Sequence, residues 1–283
     1  MNTIVKMINT IQPLDAQASA MVRQRFDSLI KPRGSLGILE EMTAQTAGIR
    51  QAAPLFLLNK TIIHVAAQQG LPAPSFISSP AITTVLLPLL QQDQLKDGTV
   101  LQLIRQGIAA ASLQIDQGAE MLGISQDAIT DKSVQSLAGE LLMMQGQGKE
   151  ALDKLVCLLE RCENHPVAVL LGIILTGAAR RVPVVLDGLA TACAALAACR
   201  LNSNSGGYTI GVYLSSYPEH EQIFAMLGHK PGLPLRLSVG SGIGTILTLS
   251  LLDAGIKALT EMGTFDGAGV SAALQDLPQR QDY

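Results

Sequence analysis

The chain is 283 residues long, 48% hydrophobic and 15% charged, with 26 glycines and a formal net charge of −3. That length can bury a full apolar core, and so low a charge with so high an apolar content excludes intrinsic disorder. With 20 basic against 23 acidic residues, no Trp and 3% aromatics, the chain offers neither a basic stripe for a nucleic-acid backbone nor ring platforms for stacked bases.

Two polar-faced helical patterns open the sequence, over residues 14–30 and 39–53. Between them Lys31-Pro32-Arg33-Gly34-Ser35-Leu36-Gly37 must be a loop, because Pro32 and two glycines break any helix. Residues 61–67 (TIIHVAA) are β-branched and apolar on both faces, as a strand in a covered parallel sheet must be. A Pro/Ser loop follows over 71–80, with Pro80 where a helix can begin, and helical spacing dominates 99–122. Further helices are expected over 132–144 and 149–161, with Gly146 and Gly148 between them, then a buried helix over 167–179. Residues 182–186 (VPVVL) read as a second buried strand, closed by Asp187-Gly188 and followed by an Ala-rich helix over 189–200. A strand over 208–214, a helix over 219–227, a strand over 235–239, a Gly240/Gly242/Gly244 loop and a helix over 246–259 follow.

Strands alternating with helices argue for an α/β fold, a parallel sheet covered by helices on both faces. The expected division is 1–60 as N-terminal helices of a small helical subdomain, 61–245 as the α/β domain, and 246–283 as a C-terminal helix and tail. No segment suits a membrane: the longest clean apolar run, 167–179, stops at Arg180-Arg181, short of the roughly 20 residues a spanning helix needs. The first residues lack a signal-peptide pattern. Cys157, Cys162, Cys193 and Cys199 sit in apolar helical patterns without CxxC spacing, which favours buried free thiols over a disulfide or zinc site. A soluble, cytoplasmic protein is expected.

In an open α/β sheet, ligands bind beyond the carboxyl ends of the strands. The loop Val239-Gly240-Ser241-Gly242-Ile243-Gly244 could present backbone N–H groups and a helix N-terminus to an anion. Its spacing is neither the Walker nor the dinucleotide pattern, and by itself it speaks sooner for close helix–strand packing. Asp187 could cap a helix or hold a ribose, and the cap is the commoner role. Ser215 could donate to an anion or simply form a turn; Lys154 would ordinarily be a solvated helix lysine. His64, on a buried strand, reads as a satisfied core side chain, and His165, His220 and His229 as surface or terminus residues. No carboxylate pair, Ser/His/Asp order or metal-ligand cluster stands out.

Lys31-Pro32-Arg33-Gly34-Ser35-Leu36-Gly37-Ile38-Leu39-Glu40 resembles the KPxGSLGxLE opening of the nicotinate-nucleotide–dimethylbenzimidazole phosphoribosyltransferases. The PVVLDG segment with its Ala-rich helix, Arg236-Leu237 with Gly240-Ser241-Gly242, and Met262-Gly263-Thr264-Phe265 resemble the same family, in order, over about residues 13 to 271. The resemblance implies a Rossmann-like sheet with a small helical domain, usually dimeric, and no cofactor or metal. It also implies a reaction that moves phosphoribosyl from nicotinate mononucleotide to an aromatic base in building the lower nucleotide loop of cobamides. Lys154 falls on the family's phosphate-binding lysine and Ser215 on a phosphate-contacting serine. Gly146 and Gly148 fall in what remains of its glycine-rich turn, with Gly240, Ser241 and Gly242 completing the phosphate and ribose set. Ser79-Pro80 matches the start of the acceptor-pocket helix, and Ser79, Leu87 and Leu237 fall in the acceptor pocket, Leu87 replacing a glutamine.

The acids do not carry over. The general-base glutamate of RLGEGSGA falls on Val239, and the second acidic position falls on Gln126, leaving Asp127 as the nearby carboxylate that could substitute. The family's ADHG becomes Ala67-Gln68-Gln69-Gly70, and the chain lacks material between about residues 91 and 98 and again before Lys154. The resemblance therefore implies a catalytically impaired transferase or a partner subunit, paired as a homodimer or with an active paralogue. The alternatives are an active transferase with a changed, for example phenolic, acceptor and a free-standing nucleotide or base sensor.

Overall fold

The computed structural model describes residues 2–66, 81–90, 99–127, 131–162, 165–237 and 242–269. They fall into two compact units, Met1–Pro13 with Leu58–Leu249, and Leu14–Leu57 with Ser250–Tyr283. The first unit carries a five-stranded parallel sheet in the order β2-β1-β3-β4-β5, with β1 Lys60–Ala66, β2 Ile82–Pro88, β3 Met121–Gln126, β4 Val184–Val185 and β5 Thr209–Ile210. Strands β1 and β3 are buried at every position, so neither shows the polar–apolar alternation of a half-exposed strand, and the polar residues they carry, His64 and Ser125 among them, are buried. At the edge, β2 is nowhere fully buried. A separate parallel pair joins β6 Tyr213–Ser215 to β7 Leu233–Leu237.

Helices α1 Asn2–Thr10, α4 Thr99–Asp116, α5 Asp131–Met143, α6 Gly148–Arg161, α7 His165–Ala179, α8 Gly188–Leu201 and α9 Pro218–Leu227 pack in this unit. Every residue from Pro166 to Ala178 of α7 is buried, the mark of a helix wrapped on all sides. It meets α4 backbone to backbone: a Cβ on Gly107 would lie 2.0 Å from the Val169 carbonyl oxygen, and one on Gly172 2.1 Å from that of Ile104.

The second unit holds α2 Ala16–Ser28, α3 Ile38–Arg50 and the later part of α10 Ile243–Glu261. Asp15 caps α2, its Oδ1 accepting from the Ala18 N–H at 2.9 Å. The KPRGSLGILE segment forms a latch here. Lys31 Nζ meets Glu40 Oε1 at 2.7 Å with both side chains nearly buried, the same oxygen accepts from the Leu36 N–H at 3.1 Å, and Gly34 and Gly37 supply the positive φ the loop needs.

Several expectations change. The helix read over 99–122 stops at Asp116, because Gly118 turns the chain at φ 98° and the buried run from Met121 pairs with β1. The helix expected from Pro80 gives way to β2, whose ITTV run is rich in β-branched residues. The strand read over 208–214 is a 3-10 turn (Ser203–Tyr208), β5 and β6 in two different sheets. Gly211 separates them, with no room for a side chain beside Phe224. Residues 2–13 belong with the sheet rather than with a subdomain over 1–60: Ile4, Ile8 and Ile11 are buried, Asn202 Nδ2 donates to the Ile8 and Ile11 carbonyls, and the Tyr208 hydroxyl donates to that of Gln12. Among the described residues α10 has the length and composition of a membrane span. Asp253 and Lys257 interrupt it, however, and Leu249, Leu252 and Ile256 are buried in the fold. All four cysteines are free, but only Cys193 is buried; Cys157 is exposed, and Cys162 and Cys199 are half-buried.

Gly172→Ala is expected to destabilise the protein by roughly 1–3 kcal/mol, seen as a lower urea midpoint. An unchanged midpoint would contradict the backbone contact between α4 and α7.

Candidate functional site

The parallel register sets His64 on β1 beside Ser125 on β3. Registered neighbours share a face, and the period of two returns Asp127 to it. The three side chains form one hydrogen-bonded chain, with His64 Nδ1 2.8 Å from Ser125 Oγ and His64 Nε2 2.8 Å from Asp127 Oδ1. Residues 61 and 63 positions apart thus make the Ser/His/Asp arrangement that sequence order conceals. Ser125 is buried, His64 is 1% exposed, and the Asp127 side chain is 24% exposed. The end of the chain that reaches solvent is therefore the carboxylate, the reverse of a serine-nucleophile triad. The adjacent Gln126 is buried, with Oε1 lacking a hydrogen-bond partner among the described residues.

The start of α10 covers the same face. A Cβ on Gly123, two residues before Ser125, would lie 2.3 Å from Thr245 Cγ2, and Thr245 Oγ1 donates to the Ile124 carbonyl at 3.2 Å. Asp187, after β4, does not cap its own helix α8 through its side chain. It reaches α10 instead: Oδ2 accepts from the Gly242 N–H and Oδ1 from the Tyr213 hydroxyl at 2.6 Å. Burial pushes the Asp187 carboxyl up to about 6, against the opposing pull of Tyr213, the Gly242 and Gly244 amides and the nearby His64. Burial and the same carboxyl hold the Tyr213 phenol well above its ordinary range. The Gly242 amide, expected to face a phosphate, is thus engaged by a carboxylate of the protein itself. Val239, Gly240, Ser241 and Ser79 lie outside the described residues.

Ser215 ends β6, and its N–H donates to His220 Nδ1 at 3.1 Å, with Oγ 2.9 Å from the same nitrogen. His220, expected at the surface or a helix terminus, stands at the start of α9 but is fully buried, beside the Tyr213 and Phe224 rings. Burial, with a smaller push from His229, lowers it to about 3. A neutral ring accepting at Nδ1 carries its hydrogen on Nε2, and that atom has no partner among the described residues.

Lys154 stands elsewhere in the unit. It is half-exposed on α6, with Nζ 2.6 Å from Glu150 Oε1, and lines a groove of about 580 Å³ with Met143, Met144, Asp153, Cys157 and Arg161. Gly146 has φ 111°, and a Cβ placed on it would lie 3.8 Å from Lys154 Nζ; Gly148, at φ 66°, begins α6. Lys154 and Gly146 are brought together, whereas Ser215 and Gly242 belong to the β6–α10 region. Leu87 on β2 and Leu237 on β7 are half-buried. Among the described residues no group of three His, Cys, Asp or Glu side chains is placed to hold a metal.

A phosphoribosyltransferase family model matches residues 11–88 and 144–270. The chain is 30% identical to a nicotinate-nucleotide–dimethylbenzimidazole phosphoribosyltransferase of Chloroflexus aggregans, over 96% of this chain and 99% of that protein. It is 29% identical to one of Halalkalibacterium halodurans, over 98% and 99%. These alignments run over 352 and 353 positions against 283 residues, so the relatives carry segments this chain lacks. Among solved structures it is similar to CobT from Thermus thermophilus, with a TM-score of 0.72 at 22% identity over 90% of this chain and 99% of that one, a likeness of fold.

Because His220 stays neutral down to about 3 in the fold but titrates near 6.5 unfolded, its contribution is intact above pH 6.5 and is lost as pH falls below it. Asp187, titrating near 6 rather than 3.8, acts in the opposite sense between those values. From pH 7 to 5 the wild type should lose about 2 kcal/mol more stability than His220→Gln, measured by urea unfolding. Parallel losses in the two proteins would contradict the neutral, buried imidazole.

Proposed function

The chain belongs to the nicotinate-nucleotide–dimethylbenzimidazole phosphoribosyltransferase family, and on that premise we propose that it binds nicotinate mononucleotide and an aromatic base in cobamide lower-ligand activation, as a catalytically impaired member or partner subunit. The observation that carries this reading is the pairing of a retained lysine and glycine turn, Lys154 beside Gly146, with Val239 and Gln126 at the positions of the two acids.

In the reaction, the acceptor's lone pair forms the new bond to the anomeric carbon. The bond to the pyridinium nitrogen breaks, its electrons going to the ring that leaves as nicotinate. A proton must then leave the acceptor, and valine cannot take it. A positioned base contributes about 10²- to 10⁴-fold, which sets the lone chain well below the roughly 1–10³ per second of ordinary enzymes. Lys154 would hold the phosphate, with Gly146 and Gly148 as its approach, and Leu237, registered with Ser215 on β6, would line a more apolar acceptor slot; Leu87 lies on the face of the sheet that carries Gln126. Pairing as a homodimer or with a glutamate-bearing paralogue in the cytoplasm completes the proposal.

A second reading, an active transferase with a changed, for example phenolic, acceptor, is favoured by the carboxylate that survives at the end of β3, Asp127.

Calorimetry of the lone protein with nicotinate mononucleotide should show binding. Lys154→Ala should weaken it about 10- to 100-fold, the worth of a charge-assisted hydrogen bond; unchanged affinity would remove Lys154 from the site. Val239→Glu should raise nicotinate release from a stoichiometric mixture with 5,6-dimethylbenzimidazole. No gain with the nucleotide still bound would point to the partner-subunit role.

A further inference from the structure

We infer that Asp127, oriented by His64 and Ser125, is the group that takes the acceptor's proton in this chain, a base built on β1 and β3 in place of the absent glutamate. The inference rests on the transferase reading above. Three observations carry it. The carboxylate is the solvent-reaching end of the chain, 24% exposed, while the imidazole and hydroxyl behind it are buried. It shares the sheet face on which Thr245 seats the start of α10, the helix that follows Arg236-Leu237 and the glycine loop. Its neighbour Gln126, which holds the family's acidic position, alternates to the other face and is buried.

The hydrogen positions follow from the donors and acceptors. A carboxylate only accepts, so His64 Nε2 carries the hydrogen directed at Asp127 Oδ1; in the neutral ring Nδ1 then accepts from the Ser125 hydroxyl. Ser125 fixes the tautomer, His64 fixes one carboxylate oxygen, and the carboxylate takes the N–H or O–H proton as the acceptor bonds to the anomeric carbon and nicotinate leaves with the electrons of the broken bond. Asp127 is the catalytic residue; His64 and Ser125 position it. His64 is faced by Asp127 and Ser125, with Asp187 as a further charge acting on it and Tyr213 bonded to Asp187.

The test is single-turnover nicotinate release by the full chain in excess over nicotinate mononucleotide, with 5,6-dimethylbenzimidazole or p-cresol, from pH 5 to 9, beside calorimetric nucleotide binding. Asp127→Asn should lower the rate about 100-fold or more, with nucleotide affinity within about twofold of wild type. Asp127→Glu should recover part of the rate. His64→Leu, which removes the donor behind the carboxylate, should lower the rate with nucleotide affinity unchanged, and His64→Gln, whose amide can still donate, should recover part of it. Ser125→Ala serves if His64→Leu melts early. Nucleotide binding with no release by the wild type, or with Asp127→Asn as fast as wild type, overturns the base while leaving the transferase reading standing. Loss of nucleotide binding in the wild type itself takes down both.

Discussion

A carboxylate sunk into the protein organises this end of the sheet. Asp187 would cost several kcal/mol to bury without partners, and it finds them in the Tyr213 hydroxyl and the first amides of α10. The positive end of that helix favours the negative charge. Three elements, β4, β6 and α10, are thereby fixed to one point. Gly244 is glycine for this reason: a Cβ there would lie 1.8 Å from Tyr213 Cε1 and 2.6 Å from Asp187 Oδ1. The glycine spacing that suggests a phosphate cradle also serves the approach of helix to carboxylate, with the Gly242 N–H turned inward.

Two carboxylates therefore stand at the carboxyl ends of the strands in different surroundings, the pattern by which one site divides structural and acid–base duties. Asp187 is enclosed and consumed by the scaffold. Asp127 keeps a quarter of its side chain in solvent and has the imidazole of His64 behind it.

Local pattern makes part of this legible and leaves part hidden. The almost wholly buried helices α7 and α8 and the buried strand β1 announce themselves as largely apolar runs of the right length. Strand β3 does not: MLGIS continues the helical spacing of α4, and only the turn at Gly118 and pairing with β1 decide it. Two-residue strands such as β4 and β5 carry no period of their own, so the break between β5 and β6 at Gly211 is a tertiary event. Family resemblance points to Lys154, Gly146 and Ser215, whereas His64 passes for filler, because its partners lie more than sixty residues away and meet it only through parallel register. His220 escapes for a similar reason: flanking a helix says nothing about the Tyr213 and Phe224 rings that enclose it.

The latch between Lys31 and Glu40 bears on how descent is traced. Breaking a buried ion pair by deleting one partner costs about 3–5 kcal/mol, so selection for a folded helical unit alone preserves both ends of the KPRGSLGILE signature. Its persistence in a genome vouches for ancestry and architecture. Whether a given descendant still performs the chemistry must be judged from the strand ends, where a lineage can exchange its acids without disturbing the signature.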